Sequence, residues 1–204
     1  MTDSLAFIGD VHGNIDALQG IIAALDLREN LHLIFLGDYI NKGKDSSKVL
    51  DLLLAKKSSG EATLLAGNHE AELIKALETG NLTAFIKMGG ATTIRSYLAR
   101  PVRPDVLEDF REHFPAQHLA GLRTMPQEWE SDAVVAQHVP RGETGGRFLV
   151  SAHTPVGPIP RISATVAQID TGCGAIDEDG RLTALLWPSR EYLQVDNVGR
   201  QLFH

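Results

Sequence analysis

Asp10 and His12 stand two residues apart between Gly9 and Gly13, directly after an apolar run. Asp38, the pair Asn68 and His69, His138 and His153 follow the same pattern, each at the end of a short apolar segment and beside a turn. In open α/β sheets the carboxyl ends of strands are where ligands bind. Carboxylates, imidazoles and one amide oxygen at such an edge make a mixed nitrogen and oxygen site. That set suits Mn, Fe or Zn better than Ca or Mg, because imidazole favours the transition metals. Even six of these seven groups exceed one tetrahedral zinc and fit two ions that share a bridging carboxylate. Two ions about 3.5–4 Å apart clamp the attacking and leaving oxygens of a phosphoryl displacement. Singly, each residue reads as turn chemistry or a hydrogen-bonded histidine. Their succession at strand ends is what points to a site.

The elements that must position them follow from periodicity. Leu5 to Asp10 reads as a buried strand, and Asn14 as the N-cap of a helix with Ile15, Leu18, Ile21, Ile22 and Leu25 on one face. "HLIFLGD" (32–38) and "ATLLAGN" (62–68) repeat the strand-to-glycine pattern. "SSKVLDLLLAKK" (46–57) and "HEAELIKAL" (69–77) read as helices, the former with lysines in its last turn. The alternation predicts βαβ units and a mainly parallel sheet. From Thr79 to Glu130 the chain is mostly helical in character, with a break at Pro101 and Pro104. Short apolar runs at 133–139, 147–154, 164–172, 181–187 and 191–195 then predict a more antiparallel layer. No linker divides the chain, so one domain over 1–204 is expected.

The 204 residues are 43% hydrophobic and 22% charged, an ordinary globular balance. No apolar run approaches the ~20 residues of a membrane helix. The N-terminal stretch does not read as a signal peptide. Cys173 is the only cysteine, which excludes an intrachain disulfide and suits a cytoplasmic location. A net charge of −7 argues against general affinity for nucleic acid or an anionic membrane.

"GDVHGN" (9–14), "GDYINKG" (37–43), "GNHE" (67–70), the strand-end His138 and "AHTP" (152–155) together resemble the motifs of the calcineurin-like metallophosphoesterases. Within them the chain is most similar to the bacterial phosphoprotein phosphatase branch, and "IDTGCG" (169–174) resembles its C-terminal strand turn. The resemblance implies a sandwich of two central mixed β layers flanked by helices. It implies one divalent ion on Asp10, His12 and Asp38, and a second on Asp38, Asn68, His138 and His153, Mn before Fe or Zn. It further implies His69 as general acid and direct attack on phosphorus by a solvent molecule bridging the ions, with no phosphoenzyme. Extended backbone at Asp10–His12 would point both side chains the same way, toward one ion.

The second motif departs from the family pattern Gly-Asp-x-x-Asp-Arg-Gly. Asn41 stands where the family's Asp orients the catalytic histidine, and Lys42 where its Arg grips phosphate. Lysine supplies a point charge rather than a bidentate fork. Arg141 and Arg161, each soon after a ligand histidine, are candidates to complete a phosphate clamp with Lys42 and Asn68. The short interval between His138 and His153 predicts an open, shallow site. The expected activity is a phosphoprotein Ser/Thr phosphatase acting on phosphoproteins or small phosphoesters. One alternative is a symmetrical dinucleoside tetraphosphate hydrolase, whose tail the segment 166–195 resembles. Another is a phosphate-binding pseudophosphatase in which Asn41 marks lost activity.

Overall fold

A computed structural model describes residues 4–28, 30–98 and 106–203. The Pro101 and Pro104 break lies outside the described residues. In chain order the elements are β1 (Ser4–Ile8), α1 (Ile15–Leu25), β2 (Leu31–Phe35), α2 (Ser46–Ser58), β3 (Ala62–Leu64) and α3 (Asn68–Thr79). Then come α4 (Thr83–Phe85), α5 (Ala91–Leu98), α6 (Val106–His113), α7 (Ala116–Arg123), β4 (Glu128–Glu130), β5 (Val134–Gln137) and β6 (Phe148–Ser151). β7 (Arg161–Ile162), β8 (Val166–Gln168), β9 (Arg181–Trp187), β10 (Tyr192–Asp196) and β11 (Gln201–Leu202) follow, and a bent helical segment, Ile86–Gly90, joins α4 to α5.

Two mixed sheets form, ordered β11-β10-β9-β1-β2-β3 and β4-β5-β6-β8-β7. β1, β2 and β3 run parallel, as do β5, β6 and β8. The C-terminal expectation therefore needs correction. β9, β10 and β11 are antiparallel but return to the first sheet beside β1, rather than forming a layer with β5 and β6. Alternation within a strand names the face that is buried and not the neighbour that it pairs with.

The apolar runs of β1 and β2 are buried on both faces. Ala6, Ile8, Leu33 and Phe35 pack toward α1, α2 and α3, while Leu5, Phe7, Ile34 and Leu36 pack on Phe148, Val150 and Ala167 of the second sheet. Asn14 caps α1, its Oδ1 accepting from Ala17 N–H at 3.0 Å, and its amide reaches Asn197. The carboxyl ends of β1, β2, β3, β5 and β6 are followed by Asp10, Asp38, Asn68, His138 and His153 respectively.

Candidate metal centre

The loops after β1 and β2 are zipped together by backbone. Val11 and His12 N–H both donate to Asp38 O, at 3.1 and 2.9 Å, and Gly13 N–H donates to Tyr39 O at 2.7 Å. The zip needs a turn where extended backbone was expected: β1 stops at Ile8, and His12 has φ 46°. Asp10 and His12 converge through that turn rather than by strand alternation. Gly13, at φ 65°, must lack a side chain, since a Cβ would lie 2.8 Å from Gly43 O. Asp38, Asn41, Lys42 and His153 are left-handed too, with φ of 55°, 72°, 62° and 72°. Such residues cost of order 1–3 kcal/mol each and gather at functional sites.

Two groups of ligand atoms meet at Asp38. Its Oδ1 lies 3.3 Å from His138 Nε2, which is 2.9 Å from Asn68 Oδ1 and 3.2 Å from His153 Nδ1. Asn68 Oδ1 is also 2.9 Å from His153 Nδ1. On the other side, Asp38 Oδ2 is 3.9 Å from His12 Nε2, which is 3.7 Å from Asp10 Oδ2. The remaining nitrogen of His12, Nδ1, donates to Ile40 O at 3.1 Å, which aims Nε2 at the carboxylates. Asp10, His12, Asp38 and His138 are buried, Asn68 is half-buried and His153 is exposed.

This donor set fits divalent ions. Buried Asp10 Oδ2 has no hydrogen-bond partner among the described residues. The amide oxygen, two imidazole nitrogens and Asp38 Oδ1 crowd their lone pairs together. Ligands at right angles around an ion, with bonds of about 2.1 Å, stand about 3 Å apart. The electrostatics agree. Burial, then Asp38 and Asp170, push the Asp10 carboxyl up. Burial pushes His12 down to about 3 against the pull of Asp38. Asp38 is opposed by burial, yet His138, His69 and His12 hold it well below the usual carboxylate range. Acids facing acids and a His12 imidazole kept neutral by burial are what a cation requires.

His69 sits at the start of α3, its Nε2 3.7 Å from Asp38 Oδ2 and its N–H donating to Asp38 Oδ1 at 3.1 Å. Burial lowers its pKa, with Asp38 opposing. Asn41 contacts His69, Nδ2 to Nδ1, at 2.7 Å. Neither Asp45 nor Glu70 touches that ring: Asp45 pairs with Lys48, and Glu70 accepts from four backbone N–H groups. Lys42 places Nζ 2.8 Å from His12 Nε2, at the edge of the cluster. Arg141 and Arg161 are exposed, and among the described residues no hydrogen bond or ion pair joins their side chains to the cluster. Arg161 lies on β7, the edge strand beyond β8.

Glu70, which the sequence offers with Asp45 as a carboxylate to stand beside His69, has another role, and Thr93 and Asp170 escaped the sequence reading of the site. Glu70 binds the N–H groups of Gly67, Asp38, Tyr39 and Ile40 at 3.1, 2.9, 2.9 and 3.3 Å, and so fixes the loop that carries Asp38. Burial and Asp38 push its pKa up to about 7, while His138 and these N–H groups pull the other way. With both oxygens accepting, the ionised form is the one the loop is built around. Thr93, on α5, holds Asn41. Asp170, buried within the electrostatic reach of Asp10, accepts from Gly172 N–H at 3.0 Å. The GNHE pattern could have marked Glu70; nothing in the spacing marks Thr93.

Residues 4–161 match the family model described as calcineurin-like phosphoesterase. The chain is 37% identical over 83 residues to a zinc-dependent endopolyphosphatase of Saccharomyces cerevisiae, covering 40% of this chain and 25% of that one. It is 34% identical over 84 residues to serine/threonine-protein phosphatase 2 of Escherichia coli, covering 41% and 37%. A third relative is the asymmetrical bis(5'-nucleosyl)-tetraphosphatase PrpE of Oceanobacillus iheyensis. It is 25% identical over 239 aligned positions, covering 96% of this chain and 92% of that one. The chain thus spans well under half of the first two relatives and nearly all of the third. The crystal structure of a candidate diadenosine tetraphosphatase superimposes with a TM-score of 0.70 at 19% identity, over 96% of this chain and 94% of that one. The fold, the strand-end ligand set and the family match agree, and the chain belongs to the calcineurin-like phosphoesterases, a family of metal-dependent hydrolases.

Proposed function

We propose that the chain is a two-metal phosphomonoesterase, formed by one domain over residues 1–204, that removes phosphate from phosphoserine and phosphothreonine in proteins. The convergence of two ligand groups on Asp38 carries this reading. Asp10, His12 and Asp38 would hold one ion; Asp38, Asn68, His138 and His153 would hold the other. Such ions, when bound, acidify water and neutralise charge on the phosphoryl oxygens. Mn²⁺ is our first candidate, and the zinc-dependent yeast relative makes Zn²⁺ the second. His69, with Nε2 on the same side as Asp38, protonates the leaving oxygen. Asn41 holds His69, and Lys42 and Asn68 border the phosphate, with Arg141 and Arg161 reaching it from the surface. A shallow site flanked by the short segment between His138 and His153 admits a folded protein's loop. The single cysteine, buried and free, suits a cytoplasmic enzyme.

The end-to-end match to PrpE favours a second reading, hydrolysis of a dinucleoside tetraphosphate. A phosphopeptide, diadenosine tetraphosphate and p-nitrophenyl phosphate, assayed side by side with Mn²⁺ and with Zn²⁺, test both. Faster turnover per molar concentration on the phosphopeptide supports the proposal. A preference for the dinucleotide overturns it, and the products then tell symmetrical cleavage (two ADP) from asymmetrical (ATP and AMP). Bound metal without turnover on any of the three would identify a pseudophosphatase.

A further inference from the structure

We propose that Thr93, supported by Ser46, locks the side-chain amide of Asn41 so that His69 carries its proton on Nε2, as a neutral imidazole donor. The inference rests on the reading of His69 as the proton donor to the leaving oxygen. Ser46, Thr93 and Asn41 are fully buried. Asn41 N–H donates to both hydroxyls, to Thr93 Oγ1 at 2.9 Å and Ser46 Oγ at 3.2 Å. The two hydroxyls are 3.0 Å apart, and Thr93 Oγ1 lies 2.7 Å from Asn41 Oδ1. Asn41 Nδ2 then lies 2.7 Å from His69 Nδ1.

Only one direction of this chain gives each hydroxyl hydrogen an acceptor. Ser46 O–H donates to Thr93, Thr93 O–H donates to Asn41 Oδ1, and the Asn41 amide donates to His69 Nδ1. Rotating the amide by half a turn reverses it: Nδ2 would donate to Thr93, and Thr93 to Ser46. Ser46 O–H would then have no acceptor among the described residues, and an unpaired buried hydroxyl is disfavoured. With Nδ1 accepting, the proton of a neutral ring belongs on Nε2, the nitrogen 3.7 Å from Asp38 Oδ2. A carboxylate at position 41 would do the opposite. It would accept from Nδ1–H and stabilise the imidazolium. The amide therefore makes a different donor: a neutral Nε2–H, held in direction by Thr93 and Ser46, that gives its proton to the leaving alkoxide and is left as an imidazolate for solvent to reprotonate. Thr93 touches no reacting atom and is a positioning residue. The Gly89–Gly90 bend ahead of α5, with Gly89 at φ 88°, is what delivers it to the second motif.

The test is the ¹⁵N spectrum of histidine-labelled, Zn²⁺-loaded protein at pH 8, with His69 assigned by its loss in His69→Asn. In the wild type, Nε2 gives the protonated signature and Nδ1 the unprotonated one. Thr93→Val frees the amide to turn, so that pattern is lost or inverted; Thr93→Ser, which keeps the hydroxyl, retains it. Protonation of Nδ1 in the wild type, alone or with Nε2, overturns the proposal, as does an unchanged pattern in Thr93→Val. In the same variants, Thr93→Val loses at least about tenfold more turnover on an alkyl phosphate than on p-nitrophenyl phosphate, whose leaving oxygen barely needs a proton. A uniform loss with the wild-type ¹⁵N pattern intact in Thr93→Ser leaves the hydrogen-bond chain standing and removes the proton-donor role of His69.

Discussion

Glu70 gives both carboxylate oxygens to backbone N–H groups, and those groups shape the loop that holds Asp38. Glu70→Gln turns one oxygen into an N–H₂ facing other donors. We expect a loss of about 2 kcal/mol, the range for a stranded buried polar group, read as a lower urea midpoint. An unchanged midpoint would show that the loop does not depend on this carboxylate. Asp38 itself belongs to both ligand groups, whereas Asn68 belongs to one. Metal counting should find Asp38→Ala depleted at both positions and Asn68→Ala retaining close to one ion; equal occupancy would remove the bridging assignment. The candidate ligands were legible because each one ends an apolar run, a pattern local in sequence. Thr93 was not, since the Asn41 it binds lies 52 positions away, and GNHE marks Glu70 without showing that three of the four N–H groups it binds lie 30–32 positions away. Their side chains satisfy backbone, and backbone carries no signature of its needs.

Helix α1 shows what one element demands of its neighbour. Gly20 lies within it against the turn after β10, and a Cβ there would sit 2.3 Å from Gly199 O and 2.7 Å from Gly199 Cα. Alanine is normally preferred to glycine inside a helix by about 1 kcal/mol. Here Gly20→Ala should instead lower stability by about 1–3 kcal/mol, the cost of overpacking. A raised Tm would show that the contact gives way cheaply. The starts of α1, α2 and α3 and the two-sided burial of β1 and β2 could be read from periodicity, because long amphipathic or apolar patterns leave little choice. β4, β7 and β11 could not, being two or three residues long. Nor could the return of β9 to pair with β1, for the strand's pattern is equally satisfied beside β6.

Across the whole molecule, the candidate ligands come from both sheets. Asp10, Asp38 and Asn68 follow strands of the first, His138 and His153 strands of the second, and His153 N–H also reaches Asp10 Oδ1 at 3.3 Å. Ions bound there tie sheet to sheet and bind only the folded chain. At a thousandfold excess over Kd, such binding adds about 4 kcal/mol. For a chain of this size that is roughly 10 °C in Tm. Chelation should therefore lower Tm by about this amount, and re-addition of Mn²⁺ or Zn²⁺ should restore it. Identical melting curves with and without chelator would mean that these residues hold no ion of consequence.

The left-handed turns at His12, Asp38, Asn41 and His153 have a consequence for how such a site can change by substitution. Among residues with a side chain, Asn, Asp and His are the types that most readily enter that conformation. They are also the types that bind metals or orient a catalytic ring. Fold and chemistry thus draw on one small alphabet at these positions. Loss is correspondingly asymmetric. Asp38→Gly should yield an inactive protein that keeps its bend, whereas Asp38→Val should lose both the ligand and the loop, and circular dichroism melts of the pair would separate the two debts.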